Sequence, residues 1–133
     1  MAAYDGAQRV GLQHPSTGGL LSATVQRIKS AASTNAQVIK ASPTALLFIN
    51  ALNTAAAARY LKIYDKASAP TLASDLPILT LLLPATNSQT QLVLTDFGIA
   101  LANGLAIAIV TNLVDTDATA IAANDVYLTI GYA

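Results

Sequence analysis

Asp115, Asp117, Asn124 and Asp125 gather three carboxylates and one amide oxygen in a single stretch, a density of hard oxygen ligands that suits a calcium ion held by a loop. The spacing fails the best-defined loop of that kind. With Asp115 as position one of an EF-hand, the glycine position falls on Ala120 and the bidentate acid position on Val126. Aspartates so placed act as turn formers, and no metal is assigned to them. A carboxylate pair from the same residues would also need aromatic platforms to cleave a glycoside, and the chain has no tryptophan and two phenylalanines. The sole histidine, His14, precedes Pro15 in a glycine-rich segment that gives a general base no fixed position. G-x-S-x-G, G-x-x-x-x-G-K-[ST] and G-x-G-x-x-G are all missing. The lack of cysteine removes thiol catalysis, cysteine metal ligands and disulfides. The residues therefore read as non-enzymatic, with no catalytic, cofactor or metal site.

What remains is the chemistry of contact. Tyr60, Lys62 and Tyr64 share one face of an alternating segment, and tyrosine beside a basic side chain suits a wet interface. Tyr127 and Thr129 share a face of Val126–Tyr132 opposite Val126, Leu128, Ile130 and Tyr132, which should line a core. These five residues are the candidate interface.

The elements that must position them are strands. Val126–Tyr132 and Leu105–Val110 alternate with a period of two, as does Arg59–Asp65. Weaker or shorter strand signals cover Ala23–Ser30, Gln37–Ala41, Thr44–Leu52, Thr90–Leu94 and Gly98–Leu101. Ile78–Leu83, apolar on both faces between Pro77 and Pro84, predicts a central or core strand. Asn103-Gly104 predicts a tight hairpin between Gly98–Leu101 and Leu105–Val110. Thr86–Gln89 predicts a polar turn, and Ala55–Ala58 either one helical turn or a loop. Eight or nine short strands in 133 residues indicate an all-β, two-sheet β-sandwich, jelly-roll-like, over residues 22–133. Residues 1–21, with four glycines and little periodicity, predict an extended N-terminal arm.

Composition bears on the surface of that sandwich. Hydrophobic residues make up 53% and charged residues 11%, with no formal net charge, so neither charge density nor repulsion keeps copies apart. The expected outcome is a homo-oligomer that buries part of the apolar excess. All seven bases lie in residues 1–66 against two aspartates, a net of +5; residues 67–133 hold five aspartates and no base, a net of −5. Halves of opposite sign can pair within one fold or across a contact between copies. Seven dispersed bases are not the clustered stripe that tracks a phosphate backbone, so no nucleic-acid partner is expected. The longest apolar stretch, Gly98–Val110, is broken by Asn103 and is shorter than the roughly 20 residues of a membrane span. Met1–Val10 carries Asp5 and Arg9 and no apolar signal core, so synthesis in the cytoplasm is expected.

The segment Tyr60–Lys66 followed by Pro70, Asp75 and Pro77 resembles small virion proteins of tailed bacteriophages. So do Phe97–Leu101, Gly104–Ala108 and the Asp115-x-Asp117 string. The resemblance is one of strand and turn positions over roughly the last 80 residues, and it carries no functional residue with it. It implies a virion structural protein, in particular a capsid decoration or cement protein that trimerises and binds the phage major capsid protein, the arm clamping a neighbour. A tail, baseplate or fibre component is the second reading, and a carbohydrate-binding β-sandwich module the third.

Overall fold

The computed structural model describes residues 22–95 and 98–133. The arm expected at residues 1–21, His14 with it, lies outside the described residues, as does Phe97. Nine strands follow in order: β1 (Thr24–Lys29), β2 (Gln37–Lys40), β3 (Thr44–Asn53), β4 (Arg59–Asp65), β5 (Leu79–Leu83), β6 (Ser88–Val93), β7 (Ile99–Leu101), β8 (Leu105–Val110) and β9 (Val126–Tyr132). There is no helix among the described residues. The three most regular alternations, at β4, β8 and β9, begin and end where the sequence pattern does.

The strands form two antiparallel sheets that pack as a β-sandwich. The first runs β1-β9-β3-β6, with β7 continuing the β6 edge along the start of β3; the second runs β2-β8-β4-β5. Leu46, Ile49, Val126, Leu128 and Ile130 from the first sheet meet Leu61, Ile63, Leu83, Leu105, Ile107 and Ile109 from the second in one core. Each such side chain contributes about 1.5–3 kcal/mol by leaving water, which is the main force holding the two layers together. The β9 alternation behaves as expected: Val126, Leu128 and Ile130 are buried, and Tyr132 packs against them.

In β3 the four consecutive apolar residues Leu46, Leu47, Phe48 and Ile49 break the period-two rule. A bulge between Leu46 and Phe48 absorbs the extra residue. Leu46 and Ile49, three apart, can then both be fully buried in the core. Phe48 turns to the other face, where its ring lies over Gly131 of β9. A Cβ at Gly131 would sit 2.1 Å from a ring carbon, so the glycine is what admits the ring.

Two expectations are corrected. Ile78–Leu83 is not central: β5 pairs only with β4 and closes the edge of the second sheet, leaving Leu82 and Ile78 exposed. Apolar character on both faces reflects, on the inner side, the core and, on the outer side, uncovered surface. The Asn103-Gly104 pair does not turn a hairpin, because β7 pairs with β3 in the first sheet and β8 with β2 and β4 in the second. The connection crosses between layers, and the Asp65 carboxylate holds it by accepting N–H bonds from Ala102 (3.2 Å), Asn103 (2.8 Å) and Gly104 (3.3 Å). Glycine is required there by close approach: a Cβ would lie 2.4 Å from the Lys40 carbonyl oxygen and 2.8 Å from that of Lys66. Of the two readings of Ala55–Ala58, the loop holds: Ala55–Ala57 form bends with no helical turn. Buried Asn53 overrides alanine's helix propensity by accepting from Ala55 N–H (2.9 Å) while donating to the carbonyls of Ala57, Leu83 and Pro84.

Candidate functional site

The five candidate contact residues occupy opposite outer faces of the sandwich. Tyr60, Lys62 and Tyr64 stand on β4 in register with Val110, Ala108 and Ala106 of β8, all on the outer side of the second sheet. Alternation suggests a row open to solvent or to a partner; the structure covers it. Lys62 is 0% exposed and Tyr64 1%, and only Tyr60 is half-buried. The β4–β5 connection lays Leu72 over Tyr64, and the β8–β9 loop brings the Val114 and Asp115 carbonyls to the Lys62 ammonium, which donates to both. The small side chains of Ala106 and Ala108 make room for this cover.

The covered row has unusual acid–base properties. Burial pushes the Lys62 ammonium below its ordinary value, opposed by the nearby negative charges of Asp117 and Asp115. Burial, with the negative charges of Asp75 and Asp115 adding to it, raises the Tyr64 phenol to about 12. The Tyr64 hydroxyl has no hydrogen-bond partner among the described residues. Beside it, Asp75 organises the β4–β5 connection by accepting from Thr71 N–H (2.7 Å) and pairing with Lys66. The Lys66 hydrogen bond is the foremost cause of its lowered pKa.

The structure does not assemble Asp115, Asp117, Asn124 and Asp125 into one ligand set. Asp125 pairs with Arg59 at 2.9 Å and accepts from Ala122 N–H, whereas Asp117 accepts from Asn112 N–H and Thr119 Oγ1. Asn124 takes a left-handed backbone turn, φ 65°. Among the described residues no group of three or more His, Cys, Asp or Glu is placed to hold a metal ion. These residues shape the β8–β9 loop as turn formers do.

Tyr127 and Thr129 lie on the outer face of the first sheet, which stays open. Strand register arranges this face in three rows: Val25, Gly131, Phe48 and Val93; Arg27, Thr129, Asn50 and Gln91; Lys29, Tyr127, Leu52 and Gln89. Val25 and Val93 are 54% and 74% exposed. Arg27, Lys29, Tyr127 and Thr129 rim a shallow depression of about 280 Å³, and the Lys29 ammonium sits 5.8 Å from the centre of the Tyr127 ring. Gly131, on the same face, is covered by Phe48 of the same chain. Arg27 and Lys29 were within reach of sequence reasoning, since two bases at i and i+2 on a weakly alternating strand must share a face. Asn50 and Gln91 join them only through register, which single-strand periodicity does not encode.

The charge division is partly resolved within the chain. Both ion pairs among the described residues, Arg59–Asp125 and Lys66–Asp75, join a base from residues 1–66 to an acid beyond them. Arg27 and Lys29 enter neither pair. No protein-family model, curated protein or solved structure matches this chain.

Proposed function

We propose that this chain is a non-enzymatic structural subunit of a bacteriophage particle, a jelly-roll capsid decoration protein that binds the major capsid shell as an oligomer. The observation that carries the reading is the strand order. Two sheets ordered β1-β9-β3-β6 and β2-β8-β4-β5 follow from a chain that switches layer at six of its eight connections. That order supports reading the winding as the double Greek key of a jelly roll, an architecture shared by viral capsid domains, lectins and cupins. Fold alone does not choose among these, so the choice rests on the surface. An open sheet face carrying Val25, Phe48, Leu52 and Val93 with two bases suits packing against protein. The resemblance of Tyr60–Lys66 and its downstream turns to phage virion proteins supports the same choice.

The test is to count this chain in purified particles by quantitative mass spectrometry. A copy number near that of the major capsid protein supports decoration. A handful of copies moves the protein to the tail or fibre, and absence from particles overturns the virion reading. Binding to a glycan array through the Arg27–Tyr127 depression would replace it with a carbohydrate-binding role.

A further inference from the structure

We propose that two copies of this chain associate head to tail, the open outer face of the first sheet in one protomer receiving the β8–β9 loop of the next. This rests on the oligomeric reading above and assigns it a contact. The two surfaces are complementary in charge. Arg27 and Lys29 project from the face without an ion-pair partner among the described residues. The loop presents Asp115, exposed, and Asp117, half-buried, and neither is in an ion pair among the described residues. The two surfaces also match in apolar character: Leu113 and Val114 are 59% and 58% exposed at the loop. Val25 and Leu52 offer them apolar area beside the Arg27–Tyr127 depression, and Val93 adds to it at the opposite edge of the sheet.

The loop is held ready to display these side chains. Lys62 fixes the carbonyls of Val114 and Asp115 from beneath, and the Asp117 carboxylate closes the turn by accepting from Asn112 N–H at 3.1 Å. Backbone polar groups thus point into the protomer while Leu113 and Val114 point out. A pre-ordered loop loses less conformational freedom on docking than a free one, which favours association.

Geometry sets the mode of assembly. The loop covers the outer side of the second sheet, and the receiving face is the outer side of the first, so the core lies between them. One chain cannot join its own two surfaces. A two-fold contact would place either surface on its own copy, base on base or acid on acid. Joining unlike surfaces gives a heterologous contact, which closes into a ring when the rotation allows it.

Charge reversal tests the contact by sedimentation velocity at low salt. Arg27→Asp with Lys29→Asp, on exposed positions, is expected to weaken self-association at least about tenfold, as is Asp115→Lys alone. The triple variant carrying all three changes is expected to regain part of the association, because the base placed at position 115 then faces carboxylates at positions 27 and 29. Circular dichroism of each variant keeps loss of fold apart from loss of contact. A wild-type protein that stays monomeric at 100 μM, about the concentration of weak assemblies, overturns both this contact and the oligomeric reading. An oligomer indifferent to the reversals, or a triple variant no better than the parents, overturns this contact and leaves the oligomeric reading standing.

Discussion

Replacing Asn53 with alanine is expected to remove about 3 kcal/mol of stability. The side chain is fully buried at the end of β3, where its amide nitrogen donates to the carbonyls of Leu83 (2.9 Å), Ala57 (3.1 Å) and Pro84 (3.1 Å), and its oxygen accepts from Ala55 N–H (2.9 Å). Two amide hydrogens serve three acceptors, so the set amounts to about three hydrogen bonds, each with a net value near 1 kcal/mol. The Leu83 carbonyl and the Ala55 N–H are interior, and alanine leaves both without that partner. For a chain of this size the change lowers Tm by roughly 10–15 °C. The assay is urea unfolding followed by far-ultraviolet circular dichroism at fixed protein concentration, with the midpoint falling and the slope unchanged. Asn53→Asp separates hydrogen bonding from volume: it keeps the acceptor toward Ala55 but turns a negative charge on three carbonyls. At pH 7 it should be destabilised at least as much as the alanine variant, and protonation of the new acid should narrow its gap to wild type. A loss below about 1 kcal/mol for Asn53→Ala would refute the assignment of Asn53 as the pin of the β3–β4 and β5–β6 corners.

Gly104→Ala should destabilise by about 2–3 kcal/mol in the same assay, because the new methyl meets backbone carbonyls of Lys40 and Lys66, which cannot swing aside. Tyr64→Phe removes a buried hydroxyl that has no partner and should be at least as stable as wild type, by about 1 kcal/mol at neutral pH. The raised Tyr64 phenol gives stability that is complete below the unfolded value near 10 and is lost as pH rises through about 12, so Tyr64→Phe should also flatten the alkaline decline. In acid, Asp65 is held below the usual carboxylate range chiefly by the Asn103 N–H, with Gly104 and Ala102 adding to it, and Asp75 chiefly by Lys66. Both contribute stability that is present above the unfolded pKa near 3.8 and is lost as pH falls through the lower folded values. Asp65→Asn should therefore show a shallower loss of stability below pH 4 than wild type, and an unchanged slope would count against the corner role of Asp65.

The sheet content was legible because alternation is a local signal. At β4, β8 and β9 each inward residue is set by the residue two places away, and the core found in the structure is the one that period predicts. The partners of a strand are not local, and there the sequence pattern misleads. Asn103-Gly104 has the composition of a hairpin turn, yet Asp65, some forty positions earlier, captures its N–H groups and directs the chain to the other sheet. The covered row Tyr60, Lys62 and Tyr64 fails for the same reason: its composition resembles a surface, and only the fold reveals that two long connections return over it. Arg27 and Lys29 form part of a site with Tyr127 because β1 pairs with β9 across almost the whole length of the chain.

The crossovers explain why so few charges suffice. Three passages between the layers are each held by one short polar side chain: Asn35 binds Ala31 and Ser33 after β1, Asn53 binds the corner after β3, and Asp65 binds the corner before β8. Asparagine and aspartate suit this task because a short side chain reaches backbone groups only a few atoms away, at little cost in rotamer freedom. Asp75, Asp117 and Asp125 likewise accept backbone N–H groups, of Thr71, Asn112 and Ala122. With most acids engaged in the chain's own backbone, the long bases carry what remains of the surface charge. Arg59 and Lys66 find acids at two of those corners, and Lys62 finds carbonyls. Arg27 and Lys29, on edge strand β1, enter neither ion pair among the described residues and are exposed on the outer face of an open sheet. The loop that this chain displays on its opposite outer face, Leu113 to Asp117, has the charge and apolar area that the proposed contact between copies requires.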